Sequence, residues 1–254
     1  MPSWLTCNAG ALTGTPANAD VGSHSVVITA SDGTASTTDS FTITVANAND
    51  APTITSTAVT SATEDAAYTY TVTASDVDGD TLTMTGTTVP SWLSFNAATG
   101  VLSGTPLNAN VGTSGNDVVI TVTDGNNGQV TDTFTITVTN TNDASTITSA
   151  ADTTAEEDDA YSYTVTTSDV DTGDTVTLAG TTVPSWLSFT AGTGVLAGTP
   201  ANADVGSHAV VITATDTSGA TAVQSFTIVV ANANDAPAVT STAVTSATED
   251  AVYT

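Results

Sequence analysis

Positive charge is missing from this sequence. Its 254 residues contain no lysine and no arginine, against 26 aspartates and glutamates, for a formal net charge of −26. Proteins that bind nucleic acid neutralise phosphates with lysine and arginine, so the composition argues against a nucleic-acid partner. The same lack argues against adhesion to an anionic membrane through a basic patch. Any cluster of carboxylates must therefore find its counter-charge in solution.

Cysteine and long apolar runs are scarce as well. The single cysteine, Cys7, cannot form an internal disulfide. It stands where later copies of the same motif have Phe95 and Phe189, so we expect a small buried apolar side chain. No run approaches 18 apolar residues, so we expect no direct membrane insertion in this segment. No signal-peptide pattern follows Met1. The chain opens in mid-repeat, and we expect it to be a piece of something longer.

An internal repeat organises the whole chain. The pairs Asn49-Asp50, Asn142-Asp143 and Asn234-Asp235 are 93 and 92 residues apart, and Glu64, Glu157 and Glu249 recur at the same intervals. The spacing predicts the back part of a truncated repeat at residues 1–50 and complete repeats at 51–143 and 144–235. Residues 236–254 would then be the first strands of a further repeat.

Each repeat has the pattern of a β-sandwich. Phe134, Ile136 and Val138 alternate with threonines, and Tyr68, Tyr70 and Val72 do the same, which is typical of half-buried strands. Glycine, proline and aspartate turns separate the segments, and no window has a helical apolar period. About seven short strands in 93 residues predict an all-β fold of tandem Ig-like, cadherin-like β-sandwich repeats.

The most informative stretch is residues 75–80 (SDVDGD), which holds three carboxylates in five residues. It returns at 168–174 (SDVDTGD) with one residue inserted, Thr172. Hard oxygen ligands at this spacing suit calcium. The alternative is an acidic turn, because aspartate and glycine are ordinary turn residues. An EF-hand is excluded because the twelfth position counted from Asp76 is Thr87, not glutamate.

Four segments together resemble a known family. Residues 70–79 (YTVTASDVDG) resemble the early Asp-x-Asp strand of cadherin repeats, and residues 120–125 (ITVTDG) resemble a later aspartate position. Residues 47–52 (NANDAP) resemble the cadherin linker. Residues 92–106 (WLSFNAATGVLSGTP) resemble the dystroglycan-type cadherin-like and "putative Ig" tandem repeats of large bacterial surface proteins.

The resemblance implies calcium ions at the junctions between repeats, held by oxygens from both sides. For the first junction it implies Asn49, Asp50, Asp76, Asp78 and Asp124. For the second it implies Glu64, Asn142, Asp143, Asp169, Asp171 and Asp216. Glu157, Asn234 and Asp235 would belong to a third.

The sequence also departs from cadherins. The Leu-Asp-Arg-Glu segment is absent, and the linkers begin with asparagine where cadherins have aspartate. We therefore expect one or two ions at each junction rather than three. Thr172 would loosen the second site, and Asp65, Asp80 and Asp174 would supply only charge or a water-mediated ligand. The rival interpretation is a dry linker with acidic turns around it.

Other candidates are weaker. His24 and His208 occupy equivalent places, which favours surface residues at strand starts, and the tryptophans favour packing over sugar stacking. No pattern of catalytic residues is present, so we expect no enzyme activity. The resulting hypothesis is a calcium-stiffened stalk or adhesive array of an extracellular surface protein. Its partners would be neighbouring repeats of a longer chain and a surface protein or glycan ligand. The alternative is a carbohydrate-binding or accessory module of a secreted glycan-active enzyme.

Overall fold

The computed structural model describes residues 1–254, which consist of short strands and three single-turn 3₁₀ helices. The prediction of an all-β chain of tandem Ig-like, cadherin-like sandwiches is confirmed. The chain forms two compact units, unit 1 at Met1–Thr141 and unit 2 at Asn142–Thr254. The 3₁₀ turns are Asn18–Asp20, Asn108–Asn110 and Asn202–Asp204.

Unit 1 contains fourteen strands. They are β1 Leu5–Asn8, β2 Ala11–Gly14, β3 Gly22–Ser31, β4 Ser36–Val45, β5 Thr53–Ile54, β6 Ser61–Thr63, β7 Tyr68–Thr71, β8 Ala74–Ser75, β9 Thr83–Thr88, β10 Leu93–Asn96, β11 Val101–Gly104, β12 Asp117–Thr123, β13 Gln129–Thr135 and β14 Thr137–Thr139. The sheets pair in the orders β10-β11-β7 and β13-β12-β9, with small pairs β1-β2, β3-β4, β5-β8 and a parallel β14-β6.

Alternation of apolar and polar residues places the core of unit 1. In β12, Val118, Ile120 and Val122 are completely buried, whereas the residues between them are half-buried. Tyr68 packs edge-on against Trp92 with ring centroids 5.7 Å apart, the aromatic geometry that the ring quadrupole favours. Residues from both three-stranded sheets thus share one apolar cluster.

Unit 2 repeats this arrangement with nine strands. They are β15 Thr146–Ile147, β16 Thr154–Glu156, β17 Tyr161–Thr164, β18 Thr167–Ser168, β19 Thr177–Thr182, β20 Leu187–Thr190, β21 Val195–Gly198, β22 Gly206–Thr215 and β23 Thr221–Ala231. The sheets have the orders β16-β23-β22-β19 and β17-β21-β20, with a small β15-β18 pair. The core again joins both sheets, with Tyr161 edge-on to Trp186 at 5.9 Å.

A close approach of two backbone segments explains why glycine precedes each Thr-Pro in the three copies of the repeat. Gly198 ends β21 opposite Leu187 of β20. A Cβ on Gly198 would lie 2.0 Å from the carbonyl oxygen of Trp186, and Gly14 and Gly104 face their tryptophans at the same distance. Only glycine lets the two strands approach this closely.

One expectation is wrong in detail. Cys7 is exposed rather than buried, because residues 1–50 contain no counterpart of β9, the strand whose Gly86 lies against Phe95. Residues 236–254 form no strand, and their assignment to the start of a further repeat stays a prediction. Their counterparts, such as β7, are held by pairing with later strands of the same repeat, here β11.

Replacing Gly198 with alanine is expected to destabilise unit 2 by about 1–3 kcal/mol, the usual cost of overpacking against rigid backbone. Gly192→Ala is the matched control, because a Cβ there meets nothing within 4 Å and its counterpart in unit 1 is Ala98. Calorimetric melting of the whole chain should show a lowered transition for Gly198→Ala alone. Equal melting of the two variants would contradict the close approach.

Alkaline pH is expected to destabilise both units. Burial raises the pKa of Tyr68 and of Tyr161 to about 12, from 10.0. The protonated hydroxyls therefore contribute stability that is present below pH 10 and is lost as the pH rises towards 12. Melting temperatures should fall across that range, and less so in a Tyr68→Phe, Tyr161→Phe double variant. Ionisation of both tyrosines near pH 10 in the folded protein would contradict this.

Candidate metal centres on the two units

The acidic loop of unit 1 folds around one aspartate. It follows β8, and Gly79 with its φ of +78° turns the chain. The Oδ1 atom of Asp76 accepts the backbone N–H of Asp78 at 2.8 Å and that of Asp80 at 3.4 Å. Ligand oxygens of Asp76, Asp78 and Asp80 consequently lie within 4.8 Å of one another. The three aspartates that are close in the sequence therefore also form a cluster in the structure.

The linker at residues 49–50 is bonded to this loop by hydrogen bonds. The backbone N–H of Asp50 donates to Oδ2 of Asp78 at 2.7 Å. The amide of Asn49 donates to Oδ2 of Asp124 at 2.8 Å. Five residues predicted for the first junction, Asn49, Asp50, Asp76, Asp78 and Asp124, are therefore brought to one place.

Sequence reasoning missed Asn18. Its amide donates to Oδ2 of Asp50 at 3.0 Å and to Oδ1 of Asp78 at 2.9 Å, so it bridges the linker and the loop. Asn202 makes a similar contact with Asp235 at 3.3 Å in unit 2. The recurring Pro-x-Asn that begins each 3₁₀ turn, at Asn18, Asn108 and Asn202, was the signal that could have found it.

Hydrogen bonding favours the ionised form of two aspartates in unit 1. Asp124 is buried, and it accepts the Asn49 amide and the backbone N–H groups of Asn126 and Gly128. These bonds, with Asn49 the largest cause, lower the pKa of Asp124. The backbone N–H of Asp50 and the Asn18 amide lower the pKa of Asp78. Both carboxylates therefore stay charged in the absence of any cationic side chain.

One carboxylate oxygen in the unit 1 cluster has no partner. The Oδ2 atom of Asp76 is buried and accepts no hydrogen bond. A buried charged oxygen without a partner is costly, and this chain has no lysine or arginine to pair with it. Three gathered carboxylates with a free buried oxygen fit a divalent cation that prefers hard oxygen ligands. These residues therefore fit the calcium ion that the resemblance to cadherin repeats implies.

Unit 2 gathers the equivalent side chains. The backbone N–H of Asp143 donates to Oδ2 of Asp171 at 2.8 Å, and the Asn142 amide donates to Oδ2 of Asp216 at 2.9 Å. Asp169 accepts the backbone N–H of Asp171 at 2.8 Å. These contacts are present although Thr172 is inserted in the loop, and Gly173 keeps the positive φ of its counterpart Gly79, at +95° and +78° respectively.

A second cluster with an unpartnered oxygen follows from this arrangement. Ligand oxygens of Asp169, Asp174 and Asp216 lie within 4.8 Å of one another. The Oδ2 atom of Asp174 is buried without a hydrogen-bond partner. Burial, then the charges of Asp169, Asp216 and Asp171, raises the pKa of Asp174, and a weaker hydrogen bond from the Thr217 side chain opposes this shift. This carboxylate is thus repelled by its neighbours unless a cation sits among them.

Two buried glutamates occupy matching places. Glu64 accepts the backbone N–H of Thr141 at 3.1 Å, and Glu157 accepts that of Ala233 at 3.2 Å. Each is only 2% exposed, which is rare for an unpaired carboxylate. Oxygens of Glu157, Asp158 and Asp235 lie within 4.8 Å of one another in unit 2. Asn234 lies next to this group, with its amide donating to the carbonyl of Asp235 at 3.4 Å.

The aromatic candidates serve packing. The indole N–H of Trp92 donates to Asn116 at 2.9 Å. In the other two copies a histidine packs edge-on against the tryptophan, at 5.8 Å for His24 and 5.9 Å for His208. The histidines are thus half-buried packing partners rather than surface residues. The half-buried tryptophans offer no free stacking platform of the kind that the carbohydrate-binding alternative needs.

A family model described as "Putative Ig domain" matches residues 1–46, 51–139 and 144–231. The chain belongs to this family. The chain is 33% identical over 139 residues to the serine-rich adhesin for platelets of Staphylococcus aureus. That match covers 55% of this chain and 6% of the adhesin.

Solved structures extend the likeness to cadherin repeats. Cadherin domains 1–4 of a gamma-B3 protocadherin match with a TM-score of 0.60 at 18% identity, covering 91% of this chain and 64% of that one. This likeness shows the fold. An endo-fucoidan hydrolase of glycoside hydrolase family 107 matches at 25% identity over 92% of this chain and 38% of its own, with a TM-score of 0.36. The adhesin and the cadherin domains that the chain resembles are not enzymes. No helix in this member of the Putative Ig domain family is long and apolar enough to cross a membrane.

Acid is expected to weaken unit 1 in calcium-free buffer. The pKa of Asp124 is lowered in the fold, so its contribution to stability is present above the ordinary value of 3.8 and is lost as the pH falls through the lower folded value. The melting temperature should therefore fall below about pH 4, and Asp124→Asn should flatten that dependence. Asp39→Asn, on the exposed face of β4, is the control. Equal slopes for the two variants would contradict the role of Asp124.

Proposed function

We propose that this chain is a calcium-binding repeat segment of an extracellular adhesion or stalk protein, in which calcium stiffens the junctions between repeats. One observation carries the proposal. Each unit gathers three aspartates within 4.8 Å and leaves one buried carboxylate oxygen without a partner, in a chain with no cationic side chain except two histidines. Divalent cations with hard oxygen preference satisfy such a cluster.

The residues that would hold calcium are those placed at the linkers. In unit 1 these are Asn49, Asp50, Asp76, Asp78 and Asp124. In unit 2 they are Asn142, Asp143, Asp169, Asp171 and Asp216. The group of Glu157, Asn234 and Asp235 is a further candidate, as is Glu64 by its equivalence to Glu157. One or two ions for each linker accord with the number of carboxylates.

The protein's own contribution is to position the linker beforehand. In unit 1 the N–H of Asp50 and the Asn49 amide hold the linker against Asp78 and Asp124, and Asn18 ties the preceding 3₁₀ turn to the same carboxylates. Side chains from the segment 1–50 and from the following repeat therefore contribute to one cluster. Calcium supplies the charge that these carboxylates lack, and the shared ligands would then fix the angle of the linker.

Adhesion and an extracellular location are proposals drawn from the relatives. One relative is a serine-rich adhesin for platelets, and a further structural relative consists of the extracellular cadherin domains of a protocadherin. The chain spans about 6% of the adhesin's length, so the activity of the whole protein belongs to this proposal. Neighbouring repeats of a longer chain are the first partners we propose, and a surface protein or glycan is the second.

Calcium is expected to raise the melting temperature of the chain and to lengthen its scattering envelope. Extracellular calcium modules bind at roughly 0.1–1 mM, so the titration should reach several millimolar. Calorimetric melting and small-angle scattering provide the two readouts. An Asp76→Ala, Asp169→Ala double variant, which removes the first aspartate of each cluster, should respond to neither.

Magnesium at the same concentration is the matched control, because it dehydrates reluctantly and demands a stricter geometry. If neither the melting temperature nor the scattering envelope of the wild-type chain changes with calcium, the proposal is contradicted. The clusters would then be acidic turns, and the repeats would be joined flexibly.

A further inference from the structure

The unpartnered carboxylate oxygen is not the same one in the two units. In unit 1 it belongs to Asp76, the first aspartate of the loop. In unit 2 it belongs to Asp174, the last aspartate, whereas the first one, Asp169, is bonded. Two loops with nearly the same sequence thus present a free oxygen at opposite ends.

One substitution accounts for the first aspartate. Ser145 stands in unit 2 where unit 1 has Pro52. The Ser145 hydroxyl donates to Oδ2 of Asp169 at 2.8 Å and is itself buried. Proline has no hydroxyl, so the corresponding oxygen of Asp76 stays free. The difference at the first aspartate therefore follows from the exchange of one side chain.

A second substitution accounts for the last aspartate. In unit 1 the Asn126 amide donates to Oδ2 of Asp80 at 2.9 Å. Its counterpart in unit 2 is Ser218, in a loop of equal length closed by the same backbone bond, Asp124 to Gly128 in one unit and Asp216 to Ala220 in the other. The shorter Ser218 side chain does not supply that donor, and after the inserted Thr172 the backbone N–H of Asp174 donates to the carbonyl of Asp171 at 3.2 Å rather than to the first aspartate. Oδ2 of Asp174 is left without a donor.

We propose that Asp174 is a direct ligand of the ion in unit 2. Its counterpart Asp80 is not a ligand in unit 1, where Asp76 binds the ion directly. The two sites are therefore unequal although their motifs match. This inference rests on the proposed calcium function. It reverses the expectation from sequence, which gave Asp80 and Asp174 the same minor role.

The physical reason is the state of each oxygen before the ion arrives. An oxygen that already accepts a hydrogen bond from an amide or a hydroxyl must give up or share that bond to bind a cation, whereas a buried free oxygen gains a partner. Asp174 also lies among Asp169, Asp216 and Asp171, whose charges oppose its own. A cation there relieves the repulsion of several carboxylates at once.

The test is calcium titration calorimetry on the whole chain with three single variants. These are Asp76→Asn, Asp80→Asn and Asp174→Asn. Affinity in calcium sites follows the number of charged ligands, so loss of a direct ligand should weaken one class of site by about tenfold or more. We expect that loss for Asp76→Asn and Asp174→Asn, and a change of less than about threefold for Asp80→Asn. Melting in chelator shows whether each variant folds.

A reciprocal pair of variants makes the test independent of the aspartates themselves. Ser218→Asn would give Asp174 the amide that Asp80 has, and it should weaken the unit 2 site while leaving the unit 1 site unchanged. Asn126→Ser would free Asp80 and should strengthen the unit 1 site. Neither change removes a charge.

The possible results distinguish a failure of the proposed calcium function from a failure of this inference alone. A wild-type chain that binds no calcium overturns the proposed function and this inference with it. A wild-type chain that binds calcium, but loses affinity equally for Asp80→Asn and Asp174→Asn, overturns the inference alone. So would a wild-type chain that binds calcium together with an Asp174→Asn variant of unchanged affinity.

Discussion

Mutual repulsion among carboxylates is the constraint on which this structure depends. In a typical protein, lysine and arginine would lie beside aspartates that meet at a domain junction. This chain has neither, and its 26 acidic residues cannot all lie apart. Many of those at the linkers instead accept hydrogen bonds from backbone N–H groups and asparagine amides. One buried carboxylate oxygen in each unit has no hydrogen-bond partner. The fold thus gathers negative charge at a few points.

Neutral donors replace cationic ones throughout the linkers. Asn49 and Asn142 hold Asp124 and Asp216, and Asn18 spans two carboxylates. Such bonds favour the ionised form without cancelling its charge. The linkers are therefore arranged in advance while their negative charges stay uncompensated. In the function that we propose, a cation from solution would compensate them and stiffen the linker.

Much of this could be predicted from the sequence, because the repeat and the two-residue alternation fix which residues face the core. Val118, Ile120 and Val122 are buried as their alternation indicates. The unit 1 cluster also follows from spacing, since Asp76, Asp78 and Asp80 lie in one tight turn, whereas the unit 2 cluster includes Asp216 from a distant loop. These are local or periodic signals, and one sequence contains them in full.

The rest depends on contacts between distant residues. Asn18 reaches Asp78 from 60 positions away, and Ser145 determines the state of Asp169 from 24. Such pairs leave no periodic trace. The exposure of Cys7 depends on whether the strand that would cover it is present, which no local pattern reveals. The difference between Asp76 and Asp174 likewise arises from residues that carry no charge, Pro52 and Asn126 in one unit and Ser145 and Ser218 in the other.

The most direct test of calcium binding is long-wavelength anomalous diffraction from crystals of the chain grown in several millimolar calcium. The account predicts anomalous peaks at ligand distance from Oδ2 of Asp76 and from Oδ2 of Asp174. Crystals that diffract well but show no peak at either oxygen, with ordered water in its place, would contradict it.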